Sequence, residues 1–206
     1  RDVIEELKDL GLEVDFNQGL DARLVDEEVA YALQGLNIPA IRLAYDHPKI
    51  GKFVRRALDL LRVAGITRRR MRHVLSYVLF NYKDTPEDLF ARVRDLLEWG
   101  VAAYPMRYQP LNGPGAFEKD SYVSPGWTQE QLNMVAKARR VIGFGGAFPP
   151  YEGLRKKFSN AANFAEAFEL RPKSRSEAPL EEFAWPQEIA ELGRDHEFPT
   201  HALVNA

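Results

Sequence analysis

Val74-Leu75-Ser76-Tyr77-Val78-Leu79-Phe80-Asn81-Tyr82-Lys83-Asp84-Thr85-Pro86-Glu87-Asp88 carries a strand, a polar turn and a helix start in one run. Val74 to Phe80 is aliphatic, aromatic and β-branched, the composition of a strand. Thr85 offers an N-cap hydroxyl, and Pro86 takes the first helical position, where its missing N–H costs nothing. The helix that follows sets Leu89, Phe90, Val93, Leu96 and Leu97 on one face. Gly100 then supplies a left-handed C-cap before the next apolar run, Val101 to Tyr108. The same alternation extends backwards. Ala40 to Tyr45 reads as a strand, followed by a helix burying Ile50, Phe53, Val54, Ala57, Leu58 and Leu61 and ending near Gly65. Leu12 to Phe16 reads as another strand, set between a helix over Val3, Ile4, Leu7 and Leu10 that stops at Gly11 and a helix with Val29, Leu33 and Leu36 that Asp26 caps and Gly35 ends. Strands alternating with helices predict right-handed crossovers and an α/β fold with a parallel sheet, open or curled into a barrel. Pro105 lacks a ladder donor, so the last strand is expected at the edge of an incomplete barrel of about four strands rather than inside a closed one.

Chemistry gathers where these strands end. Leu12, Val14 and Phe16 alternate with Glu13, Asp15 and Asn17, and Gln18-Gly19-Leu20-Asp21-Ala22-Arg23 then packs amide, carboxylate and guanidinium groups into a loop. The plainer reading is an Asx-type turn that Arg23 caps. Asn17 and Gln18, Asp46 and His47, Asn81 and Tyr82, and Tyr108 and Gln109 follow the successive strands. Each alone is more often a turn former. Together they mark the C-terminal edge, where parallel α/β folds bind ligands. Arg42 is in phase with Asp46 and Arg107 with Gln109, so Glu13, Asp15, Arg42, Arg107 and Gln109 are expected to line a lumen, paired with one another or with a polar substrate.

Composition narrows the options. A chain of 206 residues with 45% hydrophobic content builds a core, and a formal charge of −2 argues against a generally basic nucleic-acid binder. Cysteine is absent, which removes disulfides, thiolate nucleophiles and cysteine-held clusters from these residues. No apolar run is long enough to cross a membrane, so no membrane partner and a cytoplasmic location are expected. The sequence opens at Arg1, inside helical periodicity and without methionine, which leads us to expect an N-terminal part upstream. The histidines at 47, 73, 196 and 201 lack metal-ligand spacing, and no nucleophile elbow occurs. Arg68-Arg69-Arg70-Met71-Arg72 suits nucleic acid, but solvated charge near a helix C-terminus is the simpler reading. Beyond Leu111, Asn112-Gly113-Pro114-Gly115 marks a break. Thr128 caps a helix to Ile142 with Leu132, Val135, Ala136 and Ile142 inward; Phe144-Gly145-Gly146 reads as a helix stop rather than a phosphate loop; Tyr151 to Leu170 forms one or two helices around Asn160. The expected organisation is a partial barrel over residues 1–111, a helical extension over 112–170 and an irregular tail over 171–206.

The succession Asp15-Phe16-Asn17-Gln18-Gly19-Leu20-Asp21-Ala22-Arg23-Leu24, Ile41-Arg42-Leu43-Ala44-Tyr45-Asp46, Val78-Leu79-Phe80-Asn81-Tyr82-Lys83-Asp84-Thr85-Pro86-Glu87-Asp88 and Arg107-Tyr108-Gln109-Pro110-Leu111 resembles the back half of a radical S-adenosylmethionine enzyme. The resemblance implies a six-stranded partial barrel, with the strands seen here as its third to sixth. It implies S-adenosylmethionine bound to a [4Fe-4S] cluster, reductive cleavage to a 5'-deoxyadenosyl radical, and an electron donor as partner. The cluster loop, Cys-x3-Cys-x2-Cys, is missing, so the cluster and the first barrel strands are expected outside this chain, which alone should be inactive. The resemblance gives Asn17, Gln18 and Arg23 to the methionine end, Arg23 to its carboxylate. It gives Asp46 to ribose or amine, and Asn81, Met106 and Tyr108 to adenine and ribose. Two other readings stand beside it: a cysteine-free binding module without catalysis, and a different partial-barrel enzyme gripping an anionic metabolite through Arg23, Arg42 and Arg107.

Overall fold

A computed structural model describes residues 2–66, 74–112, 118 and 120–170. The tail expected over 171–206 and the basic run Arg68–Arg72 lie outside the described residues. The elements, in order, are α1 (Asp2–Leu10), α2 (Glu27–Gln34), β1 (Ile41–Ala44), a 3-10 turn (Pro48–Ile50), α3 (Gly51–Val63), β2 (Val74–Phe80), α4 (Pro86–Glu98), β3 (Ala102–Arg107), α5 (Gln129–Val141), α6 (Glu152–Asn160) and α7 (Phe164–Phe168). The chain is α/β, with a parallel sheet in the order β1-β2-β3. Among the described residues no helix is long and apolar enough to cross a membrane.

Register separates the two faces of the sheet. Ile41 pairs with Val74, Leu43 with Ser76, Ser76 with Ala103, and Val78 with Pro105. Partners in a ladder point the same way, and Ile41, Leu43, Val74, Ser76, Val78 and Ala103 are all buried. This is the side on which Val54, Ala57, Leu58 and Leu61 of α3 and Leu89, Val93, Leu96 and Leu97 of α4 complete the core. The other face carries Arg42, Ala44, Leu75, Tyr77, Leu79, Ala102, Tyr104 and Met106. It is covered incompletely: Leu75, Tyr77, Leu79 and Tyr104 are half-buried and Met106 is 42% exposed.

The edges explain Pro105 and correct the strand count. The Tyr108 N–H donates to Phe80, so even-numbered donors of β3 point at β2 and odd-numbered ones point outward. Ala103 exchanges both backbone bonds with Phe148 on that outer edge, at 3.0 and 2.7 Å. The donor that Pro105 lacks would therefore have faced outward, as an edge strand allows. On the β1 side, Leu12 to Phe16 does not form the expected strand. Backbone pairing there and in the following loop is limited to isolated bridges, Glu13 to Asn37 and Leu20 to Leu43. Between these anchors the Gly19 N–H turns back to Phe16, with Gly19 at φ +84°, and the extended pairing is lost. The sheet among the described residues is thus three-stranded, and they show no four-stranded partial barrel. The alternation read in that segment still sorts its sides: Val14 and Phe16 pack on the core, while Asp15 meets Arg42.

Candidate functional site

The C-terminal edge of the sheet holds two groups of polar side chains. The first lies beyond β1. Arg42, buried on the open face, forms an ion pair with Asp15, and the Tyr77 hydroxyl donates to the Asn17 carbonyl at 3.1 Å. These bonds draw the Asp15–Gly19 loop over the sheet. Gln18 is exposed, and Glu13 is held by its backbone bridge to Asn37. Arg23 is also exposed, but Asp21 occupies its fork: Nε donates at 3.0 and 3.1 Å and Nη2 at 2.6 Å. Those bonds from Arg23 hold the Asp21 carboxyl below its ordinary range. Only the Nη1 end of Arg23 is left to meet another carboxylate.

The second group lies beyond β2 and β3. The Asp46 carboxylate accepts from the Leu79 N–H at 3.0 Å, extending the β1-β2 ladder by a side-chain rung. Asn81 is fully buried at φ +66°, a left-handed backbone that asparagine tolerates better than most residues. Its amide donates to the carbonyls of Tyr108 and Tyr122 and accepts from the Ser124 N–H. Arg107 donates to the carbonyls of Asp120 and Tyr122, and Gln109 to that of Glu118. Asn81, Arg107 and Gln109 therefore strap Glu118 and the 120–124 chain across the ends of β2 and β3. Arg107 pairs with Phe80, so its position has the parity of the helix-covered face, not of the face that carries Arg42. Both arginines expected in one lumen thus stand on opposite sides of the sheet. Tyr82, Tyr108 and Tyr122 cluster at this rim, with ring centroids 4.6 Å (Tyr82–Tyr108) and 5.6 Å (Tyr108–Tyr122) apart.

Beneath the rim lies a network that sequence reasoning missed. Arg92 of α4 is completely buried and donates to the Tyr45 and Leu79 carbonyls and to Asp84. Asp84 in turn accepts from the Tyr82 N–H and from Trp127 Nε1, each at 3.1 Å. One cation thus fixes the chain where β1 and β2 end, at the roots of Asp46, Asn81 and Tyr82. The signal was present: Arg92 stands three residues after Leu89 and four before Leu96, inside the apolar stripe of α4. A cavity of about 390 Å³ lies at the opposite, N-terminal end of the sheet, lined by Tyr31, Leu36, Ile41, Ile66 and Val74 among others, away from these groups. Among the described residues no cluster of histidine or carboxylate side chains is arranged to hold a metal ion. Comparison of the chain with protein-family models, curated proteins and solved structures finds no match.

Proposed function

We propose that the chain forms the S-adenosylmethionine and substrate wall of a radical S-adenosylmethionine enzyme, with the cluster wall contributed by protein outside these residues. One observation carries the reading: among the described residues, one face of the parallel sheet is packed by helices and the other is covered only in part, with the polar strand ends gathered at one edge. Parallel sheets are ordinarily covered on both sides, so the face of Leu75, Tyr77, Tyr104 and Met106 calls for a second layer or a barrel closure.

The residues fit the two implied groups unequally. With no cysteine, they do not fit a [4Fe-4S] cluster, and no step of chemistry is assigned to it here. They suit one wall of an S-adenosylmethionine site: Arg23 keeps one guanidinium end open, and Asn17, Gln18 and Met106 are exposed. Asn81 is better described as a positioning residue, since its amide is fully engaged in holding Tyr108 and Tyr122. Arg42 and Arg107 are committed to Asp15 and to backbone carbonyls, which gives less support to an enzyme that grips an anionic metabolite through them.

The reading frame preceding Arg1 and a binding measurement test the proposal together. A protein that includes an upstream Cys-x3-Cys-x2-Cys should bind S-adenosylmethionine, and Arg23→Ala should weaken binding about tenfold, as loss of a charge-assisted contact would. A contiguous frame without those cysteines removes the catalytic reading. Tight binding by the present chain alone favours the module without catalysis.

A further inference from the structure

We infer that Tyr82, Tyr108 and Tyr122, together with Lys83, form a stacking site for a nucleobase carried beside a phosphate: a nucleotide, free or within a single strand. Its role as a substrate site rests on the reading above. The site itself rests on its own geometry.

Three separate segments contribute the rings. Tyr82 follows β2, Tyr108 follows β3, and Tyr122 comes from the strap. Tyr108 is the shared ring, with Tyr82 tilted at 46° to it and Tyr122 edge-on at 78°. Their backbones are fixed before any ligand arrives. The buried Asn81 amide ties Tyr108 to Tyr122, the Tyr82 N–H is held by Asp84, and Arg107 anchors Tyr122 a second time. Tyr82 remains 41% exposed.

Charge selects the ligand. Lys83 Nζ stands 5.2 Å from the Tyr82 ring centroid and has no carboxylate partner among the described residues. An ammonium over that ring attracts a phosphate and opposes a sulfonium, which favours a nucleotide over S-adenosylmethionine. Aromatic faces accept any base, and the tyrosine hydroxyls add donors and acceptors at the rim.

Calorimetric titration of the chain with AMP, a short single-stranded oligoadenylate and ribose 5-phosphate tests this. AMP or the oligonucleotide should bind and ribose 5-phosphate should not. Tyr82→Ala should weaken binding about tenfold and Tyr82→Phe much less, while Lys83→Gln should flatten the salt dependence. Tighter binding of the strand than of AMP assigns the site to nucleic acid, and equal binding assigns it to a free nucleotide. Absence of binding by both, or binding indifferent to Tyr82→Ala in a protein with an unchanged melt, overturns the inference. The two readings fail separately: nucleotide binding with no upstream cysteine motif sinks only the enzyme, and S-adenosylmethionine binding without nucleotide binding sinks only this site.

Discussion

Arg92 shows how a single residue organises the rim. Burial pulls its pKa down from the ordinary arginine value, Asp84 pulls it back, and the guanidinium keeps its charge. Replacement by leucine would leave Asp84 buried without its cation and orphan the Tyr45 and Leu79 carbonyls. Arg92→Leu should therefore cost about 3–5 kcal/mol in urea unfolding, and a loss below about 1 kcal/mol would contradict the role given to it. A second, half-buried pair supplies a pH test. Burial raises the Asp95 carboxyl above its ordinary value, against the 2.9 Å bond donated by the Tyr45 hydroxyl. A carboxyl raised by folding makes the native state bind the proton more tightly. That contribution is full below the unfolded pKa and is lost as pH rises through the folded one. Tyr45→Phe removes the lowering bond, so Asp95 should titrate still higher by NMR, with about 1 kcal/mol of stability lost at neutral pH. The positions of these residues were legible in the sequence, Arg92 in an apolar stripe and Asn81 at a strand exit. Their partners were not, because Tyr45 lies 47 positions from Arg92 and Ser124 lies 43 from Asn81.

At the scale of elements, local signals carried the helices. Thr85 and Asp88 form a reciprocal capping box on α4, as Thr128 and Gln131 do on α5, and Asp26 caps α2. Thr85→Ala should cost about 1 kcal/mol in thermal or urea melts, with little change in folded far-UV dichroism. Gly51, at the start of α3, gives a sharper test because propensity and packing disagree. Alanine is the better helix former, yet a Cβ there would stand 2.3 Å from the Tyr45 hydroxyl, which Asp95 holds while Trp99 stacks on the ring. Overpacking should win, so Gly51→Ala lowers stability by about 1–3 kcal/mol; a stabilised variant would show that Tyr45 yields. Elements were misread where the deciding contact is not local. Gly35 ends α2 in right-handed backbone, unlike the left-handed Gly11, Gly65 and Gly100, and a Cβ on it would meet the Lys8 side chain. On α5 the inward positions continue to Ala138, leaving Ala136 exposed. The Leu12–Phe16 strand failed for the same reason, since pairing depends on a neighbour and not on its own alternation.

At the scale of the whole molecule, the sheet is uneven among the described residues, with one face packed by helices and the other covered only in part. The packed face was written in strand and helix periodicity, and so was the existence of a polar rim. The open face emerges only from register, which places Leu75, Tyr77, Leu79, Tyr104 and Met106 side by side although they come from two strands. Leu12, ahead of the Asp15–Gly19 loop, adds another apolar side chain at 55% exposure. Apolar surface of this kind on a parallel sheet draws association, because each copy can cover another's open side and remove that area from water. The chain should therefore self-associate at micromolar concentrations and melt with a concentration-dependent midpoint. Leu75→Thr combined with Met106→Gln should shift sedimentation towards the monomer while preserving far-UV dichroism, since neither side chain is buried in the helix-packed core. A polypeptide in which further barrel strands cover this face should also lose the tendency to associate. A chain that sediments as a monomer, melts cooperatively and is indifferent to both substitutions would show that the face needs no cover, and the wall reading would lose its principal support.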